Sequence, residues 1–380
     1  MLSLPPLSLY MHIPWCVRKC PYCDFNSHAV TGEIPQQRYI DALLRDLESE
    51  LPAVQGRVIE TIFIGGGTPS LFDASGIQQI LRGIETLTPL SPSAEITMEA
   101  NPGTFEQDRF AGFRQAGINR LSIGIQSFDS GRLQQLGRIH NRNDALLAAS
   151  KAREIGFDNF NLDLMHGLPQ QTPEMALADL QQAIGLQPTH LSWYQLTIEP
   201  NTEFFSKPPE LPEDEDLWAI QEQGQALLEA HGYHQYEISA YSQPGRQSQH
   251  NLNYWQFGDY IGIGAGAHGK ISWPQQNRIS RRWKQRQPKA YMDALTPLSG
   301  EQDITPQERP FEFMMNALRL THGVKSDLFT QRTGVSLTSI QDLLERCRQS
   351  GLMETDAAIL APSPQGRLFL NDLLEQFLDD

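Results

Sequence analysis

Cys16, Cys20 and Cys23, in the run WCVRKCPYCDF, constrain this chain more than any other feature. Spaced C-x3-C-x2-C on one short segment, they can each take one iron of a [4Fe–4S] cube and leave the fourth iron without a protein ligand. A cluster held wholly by protein needs a fourth thiolate nearby, and the remaining cysteine, Cys347, lies far downstream in a different kind of sequence. The open iron therefore calls for an outside ligand. Zinc is the alternative. Structural zinc sites pair C-x2-C units or add histidines, and His28, five residues past Cys23, is the residue that supports that reading.

The rest of the composition is that of an ordinary globular chain. With 380 residues, 39% apolar and 20% charged, it has the length of two domains, the second smaller. Four cysteines argue against a secreted disulfide scaffold. The N-terminal MLSLPPLSLYMHIPWC lacks a basic segment followed by an unbroken apolar run, and Pro5 and Pro6 interrupt what apolar stretch there is. No segment is long enough to span a membrane. Together with an oxygen-sensitive cluster, these features indicate a cytoplasmic protein. A formal charge of −15 opposes nucleic-acid binding, which needs a surplus of Lys and Arg. The charge is uneven: residues 210–222 (ELPEDEDLWAIQE) are acidic, whereas 260–292 carry Lys270, Arg278, Arg281, Arg282, Lys284, Arg286 and Lys289 with no Asp or Glu.

Over the first two hundred residues, short β-branched and apolar runs alternate with segments of helical period. Strands are expected at 8–13, 59–64, 94–100, 119–126, 158–164 and 189–196. Between them, Tyr39, Ile40, Leu43, Leu44, Leu47 and Leu51, then Ile77, Ile80, Leu81, Ile84 and Leu87, mark helices with one buried face. Such alternation implies an α/β fold with a parallel sheet, and six units make a partial (β/α)6 TIM-like barrel with its chemistry at the carboxyl ends of the strands. Gly65 to Gly67, Glu99, Gln126, Asp163 and Gln195 fall at those ends. Residues 1–200 are thus read as the barrel. Residues 201–305, rich in Pro, Gly, Trp and Tyr, are expected to wrap its open edge, and 306–380 to form a helical, winged-helix-like module with a short hairpin. The helix SLTSIQDLLERCRQ balances Asp342 and Glu345 against Arg346 and Arg348, so it lacks the basic face of a DNA-recognition helix.

The segments YMHIPWCVRKCPYCDFNS, IFIGGGTPSLF, MEANPGT, INRLSIGIQSF, LGRIHN, NLDLMHGLPQQT and HNLNYW resemble the coproporphyrinogen oxidase-like branch of the radical S-adenosylmethionine (SAM) proteins, and within it the HemW-type heme chaperones. The resemblance implies that the methionine part of SAM takes the open iron. It also implies that Tyr10, Gly66, Gly67, Thr68, Glu99, Gln126, Arg138 and Asp163 line the SAM site. The chemistry is compatible with those roles. Glycines let backbone approach the methionine amino group, Arg138 offers a planar fork for its carboxylate, and Glu99, Gln126 and Asp163 are acceptors for ammonium and ribose hydroxyls.

HNLNYW, residues 250–255, is a second signal. His250 can ligate heme iron as a neutral imidazole, with Asn251, Tyr254 and Trp255 beside it, the two aromatic rings packing on the porphyrin. Arg281, Arg282 and Lys284 are candidate counter-charges for its propionates. The expected function is to accept heme and deliver it to apo-hemoproteins, with the cluster governing assembly state or transfer and with peripheral contact to membrane hemoproteins. The alternative is an oxygen-independent coproporphyrinogen III oxidase. Those oxidases carry a further cysteine two residues after the third, where this chain has Phe25, and more sequence ahead of the motif. Both departures favour the chaperone.

Overall fold

The computed structural model describes residues 1–378. Its frame is a twelve-stranded mixed sheet. The six expected strands are β1 (Leu7–Ile13), β2 (Ile59–Gly66), β3 (Leu90–Ala100), β4 (Arg120–Gln126), β5 (Phe160–His166) and β6 (His190–Gln195). They pair in that order, all parallel. Their mostly buried, largely apolar composition is what a sheet covered on both faces requires. Helices α1 (Gln36–Val54) and α2 (Ala74–Leu87) connect the first of these strands and bury the predicted stripes, including Tyr39, Ile40, Leu43 and Leu47 on α1 and Ile77, Ile80 and Ile84 on α2. Arg142–Glu154, the helix α3, starts at an Asn141/Asp144 capping box that satisfies its first free amides.

The segment 201–305 departs from its expected role as a wrap over one edge. It contributes strands to both edges. Next to β6 it adds β7 (His234–Glu237) and β8 (Ala240–Ser242), in the order β6-β8-β7. On the far side β9 (Asp259–Ile263) pairs parallel to β1, followed outward by antiparallel β10 (His268–Trp273), β11 (Arg278–Lys284) and β12 (Leu298–Asp303). The parallel run is therefore β9-β1-β2-β3-β4-β5-β6, one strand longer than the alternating pattern indicates. Helix α4 (Gln249–Trp255), which holds HNLNYW, leads directly into β9.

Two main apolar cores result. The larger lies between the sheet and its helices. The second joins Tyr236, Phe257 and Ile279 from the added segment to Phe313, Phe329, Leu344 and Cys347 from the C-terminal helices. There, Val324–Lys325 pairs antiparallel with Ile359–Leu360 across the intervening helices, and the expected short hairpin is reduced to a local antiparallel bridge between Met353 and Pro362.

Candidate functional site

The carboxyl ends of β2 through β6 open onto one cavity of about 490 Å³ that is also lined by Cys16, Cys20 and Cys23. The cysteine segment reaches that position because the turn after β2, at Gly67 and Thr68, runs against it. Gly67 N–H donates to the Ile13 carbonyl and Thr68 N–H to the Trp15 carbonyl, both at 2.7 Å. A Cβ on Gly67 would stand 2.5 Å from the Trp15 carbonyl oxygen, so only glycine allows this contact. Gly66, at φ +113°, turns its N–H onto the Glu99 carboxylate at 3.1 Å. The glycine run thus holds the cysteine loop against the sheet, a task additional to approach by a ligand.

Burial raises the thiols of Cys16 and Cys23 above their ordinary range; for Cys16 a hydrogen bond with Thr68 partly offsets it. Thr68 Oγ1 also accepts from Asn101 Nδ2 at 3.1 Å. Arg138 crosses the cavity wall: one guanidinium nitrogen donates to Asn101 Oδ1 (2.8 Å) and to the Gly124 carbonyl (2.7 Å), and the other faces the Cys20 sulfur at 3.8 Å. Glu99 is pushed up to about 8, by burial first and by the charge of Asp163 second. Asp163, also raised by burial, accepts from Ser122 at 3.0 Å and Asn161 at 2.7 Å. Gln126 sits at φ +70° beside a register shift in β4, a strained backbone that a non-glycine residue keeps only where its surroundings impose it. Its side-chain oxygen accepts from Tyr194 at 3.0 Å.

Gly66, Gly67, Thr68, Glu99, Gln126, Arg138 and Asp163 are therefore brought together with the three cysteines. Tyr10 is not among them. It lines an adjoining cavity, where its hydroxyl bonds His12 Nδ1 at 2.8 Å. Because the Asn26 carbonyl can only accept, His12 Nε2 donates to it and Nδ1 receives the Tyr10 hydroxyl proton. Asn101 and Tyr194 were not singled out from the sequence. Asn101 lies in MEANPGT, two residues past Glu99, and Tyr194 precedes Gln195 at the end of β6, so position at a strand end was the available signal.

The donor chemistry fits a cube with one open iron. Three thiols border one cavity, each able to meet a separate iron, while Cys347 is buried in the C-terminal core. Among the described residues no group of three or more His, Cys, Asp or Glu side chains is placed to hold a single metal ion. His28 lies outside the cavity lining, its ring directed to the Arg286 carbonyl.

The adjoining cavity, about 1010 Å³, is bounded by Tyr254, Trp255, Tyr260, Trp283 and the cations Lys270, Arg281, Lys284 and Arg286. Asp24, Phe25, Gly66 and Glu99 line both cavities. His250 is 1% exposed and does not line either. Its Nδ1 bonds Thr61 Oγ1 at 2.8 Å and its Nε2 bonds the Tyr254 hydroxyl at 2.9 Å. The free imidazole expected of it is absent from this conformation, because both ring nitrogens are engaged. Burial pushes it down to about 3, so the ring is neutral. Ser248 caps the start of α4, its side-chain oxygen accepting from the Asn251 backbone N–H at 3.3 Å.

The basic island is paired in space. Lys284 binds Asp46 and Glu50, Arg282 binds Glu50, Arg281 binds Glu312, and Lys270 binds Asp259. Arg281, Arg282 and Lys284, read from the sequence as candidate counter-charges for propionates, thus each already meet an acid on a distant segment. Arg282 does not line the larger cavity, whereas the exposed Arg286 does.

Residues 10–183 match the radical SAM superfamily and residues 304–369 the HemN C-terminal domain. The heme chaperone HemW of Escherichia coli is 54% identical over 378 residues, covering all of both chains. The chain belongs to the HemW family. A HemW from Bacillus subtilis is 34% identical across 98% of this chain and 99% of its own. The mouse mitochondrial radical S-adenosyl methionine domain-containing protein 1 is 39% identical over 70% of this chain and 60% of its own. The solved structure of E. coli coproporphyrinogen III oxidase, HemN, superposes with a TM-score of 0.82 over 98% of this chain and 90% of that one, at 23% identity, which establishes the shared fold. Membership in the radical SAM superfamily implies a [4Fe–4S] cluster and SAM.

Proposed function

We propose that this HemW-family chain is a heme chaperone that accepts heme in the larger cavity and passes it to apo-hemoproteins. Cys16, Cys20 and Cys23 would hold the cluster in the smaller cavity, with SAM between the open iron and the residues from Gly66 to Asp163 described above. The carrying observation is the larger cavity itself. It combines aromatic walls from the HNLNYW motif with the exposed cation Arg286, suited to a propionate, and its size lies at the upper end of small-molecule sites. Tyr254 and Trp255 form porphyrin contacts, Ser248 caps the helix that carries them and Asn251, and His250 acts through Tyr254.

Recipient proteins, contact with membrane hemoproteins and a cluster-dependent assembly state are further parts of this reading. Among the described residues no helix is long and apolar enough to cross a membrane, so contact with a membrane hemoprotein would be peripheral.

The test is anaerobic. The cluster is reconstituted, hemin is titrated by absorbance, and in parallel the protein is incubated with SAM, reductant and coproporphyrinogen III. Stoichiometric heme uptake, transfer to an apo-hemoprotein and no carbon dioxide release are expected. Decarboxylation would instead return the chain to the oxidases.

A further inference from the structure

We infer that Tyr254, deprotonated by His250, is the protein ligand to the iron of a ferric heme in the larger cavity. The inference rests on the proposal that heme binds there. Tyr254 lines the cavity, while its hydroxyl is bonded to an imidazole that does not. The direction of that bond follows from its neighbours. Thr61 Oγ1 donates to Ser8 Oγ at 2.7 Å, so it receives the proton on His250 Nδ1; Nε2 is then left as acceptor for the Tyr254 hydroxyl. Helical spacing explains the motif: positions 250 and 254 are four residues apart on α4, one turn, which brings the two side chains together.

When the iron–oxygen bond forms, the Tyr254 O–H bond breaks and its proton moves to His250 Nε2. No electron is transferred. Fe(III) stabilises the phenolate, an oxygen donor already known for protein-bound heme. The phenolate in turn stabilises the new imidazolium beside it; in the empty cavity burial holds His250 neutral and raises Tyr254 above its ordinary range, so the proton moves only when the ferric iron is bound. A phenolate favours ferric over ferrous iron, so reduction of the heme would release it, a property useful for handing cargo on.

Two histidines do touch the cavity. His268 is exposed, and His12 is committed to Tyr10 and Asn26. Full-length protein with reconstituted cluster is titrated with ferric heme, ferrous heme and metal-free protoporphyrin, comparing wild type with Tyr254→Phe, His250→Ala and His268→Ala. Wild type should give a high-spin ferric spectrum with a phenolate-to-iron charge-transfer band and a matching resonance Raman mode. Tyr254→Phe should lose both and bind ferric heme at least about tenfold more weakly, with metal-free protoporphyrin affinity and cluster absorbance unchanged. His250→Ala should keep the band at reduced affinity. Retention of the wild-type ferric spectrum in Tyr254→Phe, or its loss only in His268→Ala or His250→Ala, overturns the assignment and names the imidazole ligand. Failure of wild type to bind any of the three porphyrins would instead overturn the chaperone reading, and the ligand with it.

Discussion

At Glu99, a buried carboxyl carries a proton that a cationic ligand would displace. Burial and Asp163 raise its folded value from 4.5 to about 8, so the neutral form is the one the empty site favours. Its contribution to stability is fully present below about 4.5 and is lost as pH rises through about 8. An ammonium beside it reverses the preference. SAM affinity should therefore increase as pH rises toward and through about 8, and Glu99→Gln should flatten both that profile and the pH dependence of ligand-free stability; calorimetric titration from pH 6 to 9 reads the first, denaturant unfolding the second. A wild-type SAM affinity that does not change over this interval would separate Glu99 from the ammonium. The cysteines were legible at this scale because their spacing is local. Arg138's partners were not: Asn101 and the Gly124 carbonyl meet it only through the sheet.

Among the elements, the join between β9 and its neighbours depends on one buried carboxylate. Asp259 accepts from Arg57 at 2.8 Å and from Lys270 at 3.0 Å, and also from Ser272 N–H and Oγ. Asp259→Asn leaves two buried cations without their charge partner, a loss of about 3–5 kcal/mol. Thermal unfolding should register it as a large drop in Tm. The contact between the end of β2 and the cysteine segment supplies a second test. Gly67→Ala places a methyl against the backbone of Trp15, which has no flexible end to yield, so a cost of about 1–3 kcal/mol is expected. Cluster absorbance after reconstitution should fall with it. The six parallel strands could be read from their short apolar runs, because a strand buried on both faces leaves that signature. The added strands could not. In 201–305 aromatic, proline and glycine residues obscure any period, and β9 owes its place beside β1 to pairing across some two hundred and fifty residues. The basic island misled for the same reason: Lys284 finds Asp46 and Glu50 on α1, far away in sequence.

Across the whole molecule, the two cavities are neighbours with a common wall of Asp24, Phe25, Gly66 and Glu99. Replacing Cys16, Cys20 and Cys23 by Ala should abolish the iron–sulfur chromophore yet leave the larger cavity's aromatic wall, so heme uptake should persist with a changed affinity. Complete loss of uptake would mean that the cluster builds the heme site. Phe25, 58% exposed just after the three-cysteine segment, lines both cavities. Energetic coupling of this kind runs both ways by necessity: whatever factor SAM imposes on heme affinity, heme imposes on SAM, within roughly 5–150-fold for typical coupled sites. Paired titrations, each ligand in the absence and presence of the other, must return the same factor. A carrier built this way reads its own cargo: a loaded molecule and an empty one would hold the nucleoside with different strength, so a cell's supply of SAM would set how readily heme is kept or let go.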